Sequence, residues 1–509
     1  MMMKTKILAL FCTAFLTSAA LSGYAAFSQS VMAQPRAAAS GAEEADQCNF
    51  AYEVITKLRK PVFGAYNIWD TVYGDLSARE HAKAAVIALD ENNDNLVMAG
   101  LKYAPVVAPQ EAEAAEGENS AETGEASETT EATETNEAEA EAEAQNFAPP
   151  LLFFVELDRR GRSVWSIEHT IKDLYDIRKM KVIGKHYVLM GNTRTENGRE
   201  RIWLGFFNED GTLDKQYDVG VNGYNLQGLD FILAHGGRAL LITSAKTPVA
   251  SSRSAETPAT MLSWFDLQSR RLVRDRTLAM GMENRIEAIL QHGEEHYIAA
   301  GAVRMNDGRW GGWVARLNTD GSFVWQLPMP RGMGGRFYQV APLTDRYIVA
   351  AGEAMPIGDE PKRAAWVAAL DVSSSQIAWQ RFYRDDYDLS SVQLISHADH
   401  QISLVINASD SLNEEDFDFV RVANLDPRGH MIDSRGYYNG VGAQAAGVVT
   451  GKHGERILFG STRITYQVEA AQNDETELKT IEAQQAWAVA GTRQDPYDDP
   501  CVSRSRLLQ

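Results

Sequence analysis

The chain has 509 residues, which at roughly 100 to 200 residues per domain allows several domains or one large repetitive domain. Hydrophobic residues make up 44% and charged residues 23% of the chain, close to the averages of globular proteins, so wholesale disorder is excluded. The formal net charge of −20 argues against nucleic acid or an anionic membrane surface as the main partner.

Residues 1–33 have the pattern of a secretory signal. Lys4 and Lys6 precede an apolar run, small residues follow it, and cleavage is expected after Ala33 or at the competing Ala25. No other stretch holds about 18 consecutive apolar residues, so we expect no transmembrane segment in the mature chain. The sequence therefore predicts an exported protein, either periplasmic or secreted.

Two cysteines follow the predicted signal. Cys48 lies in an N-terminal tail, residues 34–60, and Cys501 lies in a C-terminal tail, residues 500–509. A pair of cysteines in an oxidising compartment suggests a disulfide bond between them, although two unrelated thiols in the tails are the alternative.

A unit of roughly 50 residues repeats along the rest of the chain. Its first landmark is a strand-like run of aromatic and β-branched residues, as in WVARLN, followed by a polar turn with aspartate or glycine. Aspartates in this turn, such as Asp158, Asp266, Asp371 and Asp426, are interpreted as structural caps. The runs are centred on Phe154, Trp203, Trp264, Trp313, Trp366, Phe419 and Trp487.

A second landmark precedes each of these runs, and it is a short apolar segment that ends in a small residue. These residues are Gly100, Gly191, Thr243, Gly301, Gly352, Asn407 and Gly460. With two further segments, each unit offers four short strands with turns between them. Seven such units over residues 61–499 predict an all-β fold, a seven-bladed β-propeller of four-stranded antiparallel blades.

The last unit lacks a recognisable fourth strand after Trp487, whereas a matching strand occurs at the other end of the repeats. Residues 67–73, with Trp69, match residues 376–382, with Trp379. We therefore expect the N-terminal strand to complete the last blade and to close the ring, which would hide the sheet edges. The tails that carry Cys48 and Cys501 would meet at this seam.

Two units resemble known bacterial propeller repeats. Ala369-x-Asp371 with Trp379 is similar to repeats of the pyrroloquinoline-quinone type, and residues 210–217 resemble exported DGxLDxxF-type blades. The resemblance implies the fold. The vicinal cysteines and the calcium-binding acidic site of quinone-dependent dehydrogenases have no counterpart here, so no cofactor is predicted.

The connections between the second and third strands contain the longest insertions, and they share one face of a propeller. They are residues 101–150, 193–201, 246–260, 303–312, 353–362 and 461–485. A cation follows the small residue at an equal offset in four units, and these predicted ligand-binding residues are Arg194, Lys246, Arg304 and Arg463. Lys102 lies one position earlier in a fifth unit, while Met355 and Asp410 interrupt the series. Exposed arginines at strand ends are common, and this is the alternative to a ligand-binding ring.

The first insertion contains a Glu-rich segment, residues 109–147. Its residues 109–145 carry thirteen glutamates without lysine, arginine or aromatic residues, and this composition predicts disorder. The segment is interpreted as a solvating tether, or else as an acidic lure or intramolecular cover for a cationic surface.

No recognised catalytic motif stands out. Histidines such as His186 and His235 recur in the same turn of different units. Equivalent turns of different blades lie too far apart for their histidines to bind one metal ion, so no metal site is predicted. The sequence favours a monomeric, non-catalytic propeller that binds a protein or an extracellular ligand through the face that carries the long insertions. The alternative is a propeller enzyme, a quinone-type oxidoreductase or a hydrolase, with its site in the central funnel.

Overall fold

A computed structural model describes residues 55–491 except 64–66, 75–80, 91–93, 104–148, 250–256, 279, 281, 330–333, 356–361, 410–417, 453 and 473–474. The predicted signal, Cys48, Cys501 and the whole Glu-rich segment lie outside the described residues. No helix in the described part is long and apolar enough to cross a membrane.

The described chain begins with three short strands, β1 (Ile55–Lys57), β2 (Val62–Phe63) and β3 (Asn67–Tyr73). Four sheets of four consecutive antiparallel strands follow, and we number them as blades 1 to 4. Blade 1 contains β4 (His81–Asp90), β5 (Asn95–Tyr103), β6 (Leu151–Leu157) and β7 (Ser163–Thr170). Blade 2 contains β8 (Leu174–Ile183), β9 (His186–Arg194), β10 (Glu200–Phe207) and β11 (Leu213–Val219). Blade 3 contains β12 (Tyr224–Ala234), β13 (Ala239–Pro248), β14 (Ala259–Asp266) and β15 (Arg271–Thr277). Blade 4 contains β16 (Asn284–His292), β17 (His296–Arg304), β18 (Trp310–Asn318) and β19 (Phe323–Met329).

Blades 5 to 7 repeat this plan and take up the three N-terminal strands. Blade 5 contains β20 (Gly334–Pro342), β21 (Tyr347–Met355), β22 (Ala364–Asp371) and β23 (Ile377–Arg384). Blade 6 contains β24 (Asp388–Ser396), β25 (Ile402–Ser409), β26 (Asp418–Leu425) and β27 (Met431–Tyr437). Blade 7 contains β28 (Gly442–Thr450), β29 (Arg456–Gln472) and β30 (Glu475–Gly491). Its fourth strand is β3, which pairs antiparallel with β30 so that Val72 lies opposite Trp487.

The predicted all-β propeller of four-stranded blades is therefore the observed fold. Adjacent blades pack face to face through shared hydrophobic clusters, and one cluster joins Phe153 of blade 1 to Phe459 and Ala488 of blade 7. The repeated tryptophans supply the largest fully buried side chains, which are Trp203, Trp264, Trp313, Trp366 and Trp487. Their burial identifies these tryptophans as packing residues of the core.

The small residue of the second landmark lies opposite an irregularity in the first strand of its blade. In blade 4 the register shifts between Ile286 and Ala288, which leaves Glu287 as an extra residue. The irregularity pushes the carbonyl oxygen of Arg285 to within 1.9 Å of where a Cβ on Gly301 would lie. Blade 5 repeats this arrangement, with the carbonyl oxygen of Arg336 at the same distance from a Cβ on Gly352 and with Tyr338 as the extra residue. The glycines are therefore needed for these bulges, and the bulges present Glu287 and Tyr338.

The N-terminal segment covers two more sheet edges, a feature that the repeat pattern did not predict. β1 pairs in parallel with β23 of blade 5, and β2 pairs in parallel with β27 of blade 6. Between them Leu58 is 3% exposed, and the carbonyl oxygen of Arg59 accepts a hydrogen bond from the buried Arg421. Paired strands therefore begin at Ile55, before the expected boundary at residue 61.

Several of the expected loop insertions are strand in the structure. Residues 461–485 belong largely to β29 and β30, which continue as a two-stranded hairpin from Ile464 opposite Ala483 to Gln472 opposite Glu475. In blade 2 only residues 195–199 separate β9 from β10. The interpretation of these residues as loops was wrong, because continued pairing satisfies backbone groups that a loop would leave to solvent.

Candidate functional site: a cationic cleft on the long-loop face

We call the long-loop face the side of the propeller on which second strands end and third strands begin. On this face blades 3, 4 and 5 enclose a cleft of about 570 Å³. Its lining includes six cationic side chains, Lys246, Arg285, Arg304, Arg309, Arg336 and Arg363. It also includes three carboxylates, Glu283, Glu287 and Glu353.

The inner part of the cleft holds arginines that carboxylates orient. Arg285 Nε lies 2.5 Å from Glu287, and both residues come from the bulged start of β16. Glu353 of β21 is only 7% exposed and lies 3.0 Å from Arg336 and 3.6 Å from Arg363. Arg363 also pairs with Asp388 of blade 6. These contacts fix the guanidinium groups on the side of the cleft formed by blades 4 and 5.

The charge states of this inner part follow from its contacts. The hydrogen bond to Asp388 raises the pKa of Arg363. Burial by itself would lower the pKa of Arg336, but the neighbouring Tyr338 and Glu353 raise it overall. Burial, together with a hydrogen bond to Glu353, raises the pKa of Tyr338. At neutral pH the site therefore presents charged guanidinium groups, which donate hydrogen bonds, while the protonated phenol of Tyr338 donates to Glu353.

The outer part of the cleft pairs cations with aromatic rings. The guanidinium carbon of Arg304 lies 5.6 Å from the ring centroid of Trp310, and Nζ of Lys246 lies 3.8 Å from that of Tyr224. No carboxylate of the described residues lies within ion-pair distance of Arg304, which is exposed. Its charge is therefore available to a ligand.

Only two of the four predicted ligand-binding cations meet in this cleft. Lys246 and Arg304 line it, whereas Arg194 and Arg463 do not. Arg194 lies 2.9 Å from Glu200, and Arg463 lies 3.5 Å from Asp418. The equal offset places these side chains on the same face, but residues outside the repeated pattern decide how each one is paired.

The sequence analysis missed the arginines of the inner cleft. Arg285 and Arg336 each precede a bulge residue by two positions, in Arg-x-Glu and Arg-x-Tyr respectively. An alignment of the first strands of the blades could have revealed this signal, because both arginines lie within the first three residues of their strands. Arg363 and Glu353 carry no repeated signal, and only the packing of blade 5 brings them together.

Other polar clusters of the described residues are explained by packing. His397 Nε2 lies 2.8 Å from Ser403 Oγ, and both residues are buried. His400 Nδ1 lies 2.7 Å from the carbonyl oxygen of Leu343 in the neighbouring blade. Within the described ranges no group of three or more histidine, cysteine, aspartate or glutamate residues could hold a metal ion.

Comparisons with known proteins find matches of low similarity among solved structures alone. No protein-family model matches the chain, and no curated protein matches it. The β-propeller domain of the Trilobed protease from Pyrococcus furiosus matches with 10% identity and a TM-score of 0.39, over 79% of this chain and 95% of that one. The periplasmic gluconolactonase of Pseudomonas aeruginosa matches with 10% identity and a TM-score of 0.37, over 69% and 84%. Drosophila Semaphorin 2a matches with 8% identity and a TM-score of 0.41, over 84% and 76%.

Proposed function

We propose that this protein is a binding protein for an anionic ligand, and that the ligand occupies the cleft between blades 3, 4 and 5. The observation that carries the proposal is the concentration of arginine at the lining of one cleft. Among the lining residues, Lys246 and five arginines outnumber three carboxylates in a chain of net charge −20. Arg309 and Arg363 also pair with Asp307 and Asp388, which lie outside the lining.

The chemistry of arginine favours a carboxylate, phosphate or sulfate group as the recognised part of the ligand. The planar guanidinium presents paired N–H donors that match such groups bidentately. In the inner cleft Glu353 and Glu287 hold these donors in place before the ligand arrives. Preorganisation of this kind reduces the ordering cost of binding.

The volume of the cleft and its electrostatic field favour a small ligand or one segment of a larger ligand. A volume of about 570 Å³ falls within the range typical of ligand pockets. Positive charge in a cleft of an otherwise acidic protein focuses the field, so anions would be attracted to this point of the surface.

Binding without catalysis fits the groups that are present. Tyr338 hydrogen-bonds Glu353 of the cleft, and its raised pKa keeps its hydroxyl protonated at neutral pH, which makes it a poor nucleophile. Glu353 is engaged by two arginines. The predicted export signal would place such a binding protein outside the cytoplasm.

The test is titration of the purified protein with inorganic phosphate, sulfate and galacturonic acid, with intrinsic tryptophan fluorescence and calorimetry as readouts. Trp310 lines the cleft and would report on occupancy. Arg336→Ala and Arg304→Ala should each weaken binding at least about tenfold, the effect of losing a charge-assisted hydrogen bond.

The matched control is Arg346→Ala. Arg346 also lies beside a tyrosine, 5.3 Å from the ring centroid of Tyr347, and pairs with Asp371, but it belongs to the turn between β20 and β21 on the opposite face. Its removal should leave affinity unchanged. Equal affinities for all three variants and the parent protein would refute the proposed site, and turnover of a titrated ligand would show that the protein is an enzyme.

A further inference from the structure

Cations lie over aromatic rings in four consecutive blades on the long-loop face. The distances from cation to ring centroid are 4.7 Å for Arg194 over Tyr175, 3.8 Å for Lys246 over Tyr224, 5.6 Å for Arg304 over Trp310 and 5.1 Å for Arg336 over Tyr338. These pairs belong to blades 2, 3, 4 and 5 respectively. We call them the cation–aromatic arc.

The arc extends beyond the cleft. Arg194 and Tyr175 of blade 2 are not part of the cleft lining, although they lie at the same end of their blade. Arg194 keeps 57% of its side chain exposed while one N–H group donates to Glu200. Since a guanidinium has five N–H donors, Arg194 retains donors for a ligand.

Each pair of the arc offers two kinds of contact. The cation attracts an acidic group, and the partly exposed aromatic ring offers a flat apolar surface with, in tyrosine, a polar tip. Burial and the hydrogen bond to Glu200 raise the pKa of Tyr175 to about 12, so its hydroxyl stays protonated. A sugar acid matches this combination, because it has one carboxylate, one ring with an apolar face, and hydroxyl groups.

The spacing of one pair per blade favours a chain of sugar acids over other polyanions. Double-stranded DNA carries about one charge per 1.7 Å of its axis, a density that four cations spread over four blades do not match. The net charge of −20 also repels a dense polyanion more strongly than a sparse one. A disordered acidic peptide would lose more conformational entropy on binding than a stiff chain of sugar rings.

We propose that the cation–aromatic arc is a track for an acidic polysaccharide built from uronic acids, with the cleft as its deepest part. This inference rests on the proposed function and specifies its ligand class.

The test compares galacturonic acid monomer with a long galacturonic acid oligomer, using calorimetry on the full chain. The oligomer should bind the parent protein at least about tenfold more tightly, because it engages several pairs at once. Arg194→Ala should weaken oligomer binding several-fold and leave monomer binding unchanged, since Arg194 lies outside the cleft. Arg304→Ala should weaken the binding of both.

A second variant, Tyr175→Ala, tests the aromatic contribution in blade 2 and should repeat the length-dependent loss. Arg346→Ala is again the control, and thermal melting confirms that each variant is folded. If monomer and oligomer bind equally, or if Arg194→Ala does not change oligomer binding, the track is refuted while the cleft stands.

If Arg304→Ala changes the binding of neither compound, the proposed function itself fails. Polyglutamate of matched charge is the competing macromolecule, and tighter binding of polyglutamate than of the oligomer would overturn the assignment to a polysaccharide.

Discussion

Two parts of the long-loop face use the same repeated cation differently. In blades 1 and 7 a carboxylate neutralises it, with Lys102 lying 2.7 Å from Glu168 and Arg463 lying 3.5 Å from Asp418. In blade 4 an aromatic ring, Trp310, lies beside Arg304 instead. The first arrangement fixes a blade end, whereas the second leaves a charge for a ligand.

Blade 2 combines both arrangements. Arg194 lies over the ring of Tyr175 and also donates to Glu200, which raises the pKa of its guanidinium. An equivalent position in every blade therefore does not by itself define a binding site. The side chains around each cation, from its own blade or from the neighbouring one, decide whether the repeated cation is structural or available for binding.

The largest expected effect is loss of binding in the double variant Arg304→Ala/Arg336→Ala. Two charge-assisted contacts of about 1.5 kcal/mol or more each correspond to at least about a hundredfold lower affinity for galacturonic acid. Calorimetry would measure it. Arg463→Ala is the matched variant from the neutralised part of the face, and a comparable loss there would break the distinction between the two parts.

A smaller effect is expected when the arrangement of blade 2, a glutamate opposite the cation on the third strand, is transferred to blade 4. Trp310→Glu replaces the aromatic partner of Arg304 with a carboxylate, which should lower affinity about tenfold through neutralisation of the charge and loss of the cation–π contact. Trp310→Gln is the control that removes the ring without adding charge. If the two variants bind equally, the carboxylate does not neutralise Arg304.

The reverse change in blade 2 should strengthen binding slightly. Glu200→Gln removes the negative charge that holds Arg194, and oligomer affinity should then rise about two- to threefold at low salt, with the gain lost at high salt by screening. Titrations at two ionic strengths would measure it. A weaker affinity after this change would show that Glu200 orients Arg194 for the ligand.

The smallest expected effect concerns the dependence of folding stability on pH. Burial opposes ionisation of Asp388, but hydrogen bonds from Arg363 outweigh it and hold its pKa below the ordinary value of 3.8. Because the pKa in the folded state is depressed, this pair stabilises the protein above about pH 3.8 and loses its effect as pH falls through the lower folded value. Asp388→Asn should therefore lower stability at pH 7 but little below pH 3, as chemical denaturation would show. An equal loss of stability at both pH values would mean that the ion pair is not the source.

The fold could be read from particular residues because the repeat pattern reflects local geometry. Gly301 and Gly352 mark bulges where a carbonyl oxygen leaves no room for a Cβ. Asp158 accepts hydrogen bonds from the backbone of Arg160 and Arg162 within its own turn, which confirms its interpretation as a cap. Such requirements are met within one blade, so they recur in the sequence.

The strands that cover blades 5 and 6 could not be predicted in the same way. β1 has three residues and β2 has two, too few for an alternating pattern. Their pairing depends on the long-range course of the chain and on Arg421, which is fully buried and reaches Arg59 across 362 residues of sequence. The residues of Ile55–Lys57 themselves contain no pattern that indicates pairing with blade 5.

The sequence alone was enough to predict the all-β repeat, the four strands of each blade and the face on which the repeated cations lie. These features depend on turn residues, on the alternation of side chains along a strand and on glycines at bulges, and each of these acts over a few residues. The tertiary structure alone decided which cations form the site. Arg363 and Glu353 meet only after blade 5 has folded, and Arg304 is available because Trp310, on the next strand, carries no charge. Ion pairing depends on distances between strands, and a linear pattern does not contain them.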